Sequence, residues 1–176
     1  KHIPTAYLRA GMNQRRALLA GLLDTDGTVS TAGSVEFTNT NHQLALDVHE
    51  LACSLGYRAA IRGGRARLEG RDCGPKWTVE FTTPESVFWL TRKRHLHAER
   101  AATARPARHR YRYILSIRQV PTVPVRCIRV AAASSLFLAG RTMVPTHNSV
   151  LQKKLAGDVV DRGGQVVVPD RTKMGE

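Results

Sequence analysis

The stretch LAGLLDTDG, Leu19 to Gly27, decides how this chain is read. Leu18, Leu19, Leu22 and Leu23 recur at helical spacing, so residues 14–23 are predicted to form a helix with one apolar face. Gly27 is available as its terminator. Ala20 and Gly21 are small. The helix ends by delivering two carboxylates, Asp24 and Asp26, of which Asp24 is expected to close the helix end.

Outward from this helix the periodicity switches back and forth. SVEFTNT alternates Val35 and Phe37 as a half-buried strand. NHQLALDVHELACSLGY sets Leu44, Val48, Leu51, Ala52 and Leu55 at helical spacing, and Gly56 closes that helix. An Arg-rich ribbon predicted to turn at Gly63-Gly64 follows. KWTVEFTT then alternates Trp77, Val79 and Phe81 as a strand, and Pro84 is predicted to start a short helix through Leu90. Helix, hairpin, helix, hairpin, helix is an α+β pattern. From Thr122 to Asn148, TVPVRCIRVAAASSLFLAGRTMVPTHN has short β-type runs broken by Pro and Gly, with no helix-length periodicity.

A chain of 176 residues, 42% hydrophobic, suffices for one ordinary domain or two small ones. No apolar run approaches a bilayer span, and KHIPTAYLRAG has no apolar signal core, so no membrane partner and a cytoplasmic setting are expected. Cys53, Cys73 and Cys127 are odd in number and lack C-x-x-C spacing, which favours neither a disulfide framework nor a zinc site. The net charge of +13 calls for a polyanionic partner. Its placement says more than its size. Between Arg92 and Arg118 lie nine Lys/Arg, among them Lys93, Arg94, Arg110 and Arg112, against the single acid Glu99, and Tyr111 and Tyr113 interleave with the last of them. A second patch, Arg58, Arg62, Arg65, Arg67 and Arg71 against Glu69, lies on the ribbon, where outward arginines suit a DNA groove and its phosphates. Charge alone fits a solvated basic face equally well.

LAGLLDTDG resembles the LAGLIDADG signature of homing endonucleases at seven of nine positions, with Leu23 for Ile and Thr25 for Ala. The resemblance implies half of a DOD-type endonuclease (αββαββα) in residues 1–118, acting on double-stranded DNA. It also implies that Asp26, the second acid of the motif, binds Mg²⁺ at the scissile phosphates. A carboxylate facing a polyanion is otherwise repulsive, and a hard cation with oxygen ligands relieves that. KHIP, Lys1 to Pro4, resembles the K-x-I-P block that precedes the second LAGLIDADG motif in inteins, which implies an active-site role for Lys1 and a missing N-terminal intein half upstream.

FLAGRTMVPTHNS resembles the C-terminal splicing block of inteins, so residues 119–148 are expected to supply the last strands of an all-β Hedgehog/intein (HINT) domain. Each polar residue has a task there. Asn148 can cyclise through its side-chain amide and cut the bond to Ser149. His147 donates the proton that an amine leaving group needs. Ser149 accepts the N-extein as an ester before that cut. Cys127, in VRCIRV, together with Thr146 resembles the class 3 inteins, which implies that Cys127 attacks the upstream junction first; a thiolate suits that task, although a lone Cys in a β-core is commonly inert. Splicing needs no cofactor.

Residues 149–176, SVLQKKLAGDVVDRGGQVVVPDRTKMGE, read as a helix and a buried strand of a C-extein. They resemble a P-loop ATPase of the DNA-translocase and conjugation branch, with Ser149 as the Mg²⁺-binding hydroxyl and ATP the ligand of the spliced host. Two other readings compete: a non-cleaving DNA-binding regulator on the LAGLIDADG fold, and an ATPase fragment whose upstream residues are incidental.

Overall fold

A computed structural model describes residues 1–103, 116–119, 121, 123–124, 128 and 130–146. Arg110, Arg112, Cys127, His147, Asn148, Ser149 and the expected C-extein lie outside the described residues. The chain divides into two units, Lys1–Ile117 with Gly140–Met143, and Arg118–Ala139 with Val144–Glu176.

The first unit runs α1 (Thr5–Leu8), α2 (Met12–Asp26), β1 (Gly27–Val29), β2 (Val35–Asn39), α3 (His42–Ser54), β3 (Ala60–Leu68), β4 (Arg71–Phe81) and α4 (Thr91–Thr103). Behind the one-turn α1, this is the α+β order predicted from the sequence. The four strands form one antiparallel sheet in the order β1-β2-β4-β3. In the second unit, β5 (Phe137–Ala139) pairs antiparallel with β6 (Val144–Thr146). Among the described residues, no helix is long and apolar enough to cross a membrane.

Alternation decides which face of the sheet is covered. Val29, Val35, Phe37, Val79 and Phe81 are buried with Leu19 and Leu23 of α2 and Leu44, Val48 and Leu51 of α3. Each such side chain contributes about 1.5–3 kcal/mol of burial. The intervening residues carry the opposite face, where Glu36 stands opposite Glu80 and the Thr38 hydroxyl meets that of Thr78 at 2.9 Å.

Two local predictions are corrected. The ribbon turns at Glu69-Gly70, not at Gly63-Gly64. Leu68 pairs with Arg71 across two residues that both have positive φ, 50° and 79°, the twist-matched geometry of a tight hairpin. Gly63 and Gly64 sit within β3, opposite Trp77 and Lys76. The ribbon also bends between Arg65 and Arg67, where β4 carries an extra residue around Gly74, at φ 96°. The helix expected from Pro84 to Leu90 begins later, at Thr91. The Thr83 hydroxyl accepts the Glu85 N–H at 3.1 Å, and Val87 and Phe88 are drawn into the core.

Candidate functional site

Asp26 is the last residue of α2, and its side chain is exposed. The helix passes directly into β1 at Gly27, whose N–H still bonds the Leu23 carbonyl. A Cβ at Gly27 would lie 2.5 Å from that carbonyl oxygen, so glycine is required there by contact; its φ is an ordinary −89°. On the neighbouring strand, Asn39 points its amide at the Asp26 carboxylate, 3.5 Å away. The Asn39 carboxamide oxygen in turn accepts the Asn41 N–H at 2.9 Å, and Asn41 caps α3.

Asp24 closes a helix, as expected, but a different one. Its carboxylate accepts the backbone N–H groups of Trp89 and Leu90, each at 3.2 Å, immediately before α4. In return the Lys93 ammonium donates to the carbonyls of Leu23, Asp24 and Gly27 at 2.8, 2.9 and 2.6 Å, covering the end of α2. Lys93 is 9% exposed, so its expected place as a DNA contact is corrected: all three ammonium protons are committed inside the fold. Burial pushes the Lys93 ammonium below its ordinary pKa, Arg92 adds to that, and Asp24 and Asp26 oppose it.

The other basic residues are distributed differently. Arg58, Arg62, Arg65, Arg67 and Arg94 are exposed. Arg62 pairs with Glu80 at 3.0 Å on the sheet face opposite the core, and Arg65 holds Asp72 through two nitrogens on the ribbon. That contact, with the Gly74 N–H, keeps the Asp72 carboxyl below its usual pKa. Lys1 is exposed, two residues before the buried Ile3. Thr146 ends β6 and bonds the Val144 carbonyl at 3.0 Å.

Magnesium is bound through one or two carboxylates together with waters and substrate phosphates. Asp26 with Asn39 beside it suits one side of such a site. Among the described residues, no three His, Cys, Asp or Glu side chains converge to hold a metal by themselves. Nor does α2 use its small residue internally, because an added Cβ at Gly21 would meet nothing within 4 Å. Leu18 and Leu22 are only partly buried, and Trp89 is 64% exposed.

Residues 13–86 match the family model of a LAGLIDADG-like domain. The chain is 51% identical over 151 residues to a protein of Mycobacterium intracellulare named replicative DNA helicase DnaB, which covers 86% of this chain and 26% of that protein. A protein of the same name from Mycobacterium leprae (strain TN) is 64% identical over 36 residues, 20% of this chain and 6% of that one. The chain thus spans only about a quarter of the first relative's length and a smaller part of the second's. The chain is thus similar to a LAGLIDADG-like domain over residues 13–86 and, over a longer stretch, to a protein named replicative DNA helicase DnaB.

Proposed function

We propose that this chain is the C-terminal part of an intein inserted in a DnaB-type helicase, holding half of a homing endonuclease. The observation that carries this reading is the overlap of two matches. The helicase alignment takes in 86% of the chain and must therefore include most of the LAGLIDADG-like segment. An endonuclease-like segment inside a helicase polypeptide is what an intein supplies. LAGLIDADG domains bind DNA and are usually endonucleases, and the exposure of the acid at the end of α2 supports a role in metal-dependent phosphodiester cleavage. The open face around Gly21 suits the second helix of an upstream half, which would bring the remaining metal carboxylate.

In this reading residues 119–148 belong to the HINT splicing domain and residues 149–176 to the host. His147 and Asn148 perform the terminal cleavage, with Ser149 as the acceptor. Unwinding needs an energy source, so an ATP-binding phosphate loop, assembled at Ser149 only after splicing, fits the relatives' name. The non-cleaving regulator gives no account of the helicase homology.

The test restores the upstream half and supplies Mg²⁺ with an intein-less copy of the host gene. Cutting is expected, and Asp26→Asn should abolish it while leaving DNA affinity within about threefold, because the carboxylate serves metal and not phosphate. A wild-type protein that binds this DNA without cutting would favour the regulator.

A further inference from the structure

We infer that Asp24 and Lys93 form a reciprocal clasp that fixes the Asp26 carboxylate relative to the cations Arg92 and Arg94. Lys93 then serves cleavage as a positioning residue without touching DNA. The inference rests on the endonuclease reading above. A helix end leaves backbone groups without intrahelical partners, carbonyls at the C-terminus and N–H groups at the N-terminus. Here each helix supplies what the other lacks. Asp24, on α2, accepts the Trp89 and Leu90 N–H groups at 3.2 Å; Lys93, on α4, donates to the carbonyls of Leu23, Asp24 and Gly27.

Asp26 lies between two of those bonded carbonyls, Asp24 and Gly27, so its backbone is held on both sides. The negative end of the α2 dipole and two carboxylates would repel one another at this spot, and the buried ammonium beneath them offsets that repulsion. Arg92 and Arg94 flank Lys93 on α4 and are exposed. The acid and the adjacent cations are therefore carried on one closed ring of hydrogen bonds. A surface lysine that binds phosphate has neither this burial nor three carbonyl partners.

The experiment uses the precursor with its upstream half restored, and compares single-turnover cleavage with DNA affinity measured across a salt series. Folded Lys93→Met should cut about 100-fold more slowly, as expected for a misplaced reacting group. Its affinity and salt slope should match wild type. Asp24→Ala should behave likewise, whereas Asp24→Asn, which keeps an acceptor oxygen, should cut within about threefold of wild type. An unchanged rate in folded Lys93→Met overturns the inference. So does a salt slope reduced by about 0.9, the signature of one lost phosphate contact. Should Lys93→Met fail to fold, Asp24→Ala decides the matter by the same criteria. A wild-type precursor that does not cut removes the endonuclease reading instead. The clasp is then judged in the present chain by hydrogen exchange at the Trp89 and Leu90 amides, which Asp24→Ala should accelerate at least tenfold, about 1.4 kcal/mol of protection; unchanged exchange overturns it.

Discussion

Asp47 on α3 accepts the backbone N–H of Ile3 at 2.8 Å, so the segment carrying Lys1 is fastened to a helix distant in sequence by a buried carboxylate. Gln43 holds the other oxygen at 2.7 Å, and Glu50, one turn further on, pairs with Arg9 at 2.7 Å. Two acids on an otherwise apolar helix face are thus accounted for by the N-terminal segment.

Asp47→Ala should lower the unfolding free energy by about 1.5–3 kcal/mol, the range for a hydrogen bond to a charged group. Lys1→Met, at an exposed position, should leave stability within about 0.5 kcal/mol of wild type. In the restored precursor both should slow cleavage. Urea denaturation separates them, and an Asp47→Ala protein as stable as wild type would show that the anchor contributes nothing.

The two glycines of the α2 motif should respond oppositely to alanine. Gly27→Ala puts a methyl 2.5 Å from the Leu23 carbonyl oxygen, backbone that cannot swing away, and should cost about 1–3 kcal/mol. Gly21→Ala meets nothing and gains helix propensity, so it should stabilise the isolated chain by up to about 1 kcal/mol. Its penalty should appear only on association with the upstream half. Equal effects of both substitutions on the isolated chain would contradict an open face at Gly21.

Local periodicity made α2, β2, α3 and the core half of β4 legible, since Val35, Phe37, Val79 and Phe81 alternate in the sequence as they do in the sheet. Turn position was less legible. Glu69 adopts positive φ at an energetic cost that the Gly63-Gly64 pair would have avoided, and register with β4 decided otherwise. Lys93 was misread because its partners are 66 to 70 residues away, and in the sequence it is one more cation in a basic run. Asn39 could be placed on its strand, but nothing in the sequence marks it as the neighbour of Asp26.

Stability should fall on mild acidification because of His97. The ring is 2% exposed, packs edge-on to Phe88 at 5.8 Å and has an Nε2 without a hydrogen-bond partner among the described residues. Burial pushes its pKa below the ordinary 6.5, while a hydrogen bond with the Thr83 backbone pulls the other way. Above pH 6.5 both folded and unfolded chains hold the ring neutral. As pH drops through 6.5 the unfolded chain takes up the proton first, so stability declines until the folded pKa is passed, below which the loss is complete. Urea midpoints between pH 8 and pH 5 should show this decline in wild type and a shallower one in His97→Leu. Parallel curves for the two proteins would assign the decline to other groups.

If the chain splices as proposed, Cys127→Ala and Asn148→Ala in a full-length precursor separate the steps. A thiolate at Cys127 that attacks the upstream junction first makes every later step depend on it, so Cys127→Ala should block upstream cleavage and leave at most slow cutting after Asn148. Asn148→Ala should do the reverse, because Asn cyclisation alone resolves the branched ester; the branch should accumulate and be released by hydroxylamine. Upstream cleavage that persists in Cys127→Ala would move the first nucleophile to the upstream segment and leave Cys127 without a part in splicing. On the proposed reading, a polypeptide of residues 1–176 alone tests only the Asn148 step. Mass spectrometry should find either the intact chain or a slow loss of residues 149–176, and a ligated product would contradict the proposed order outright.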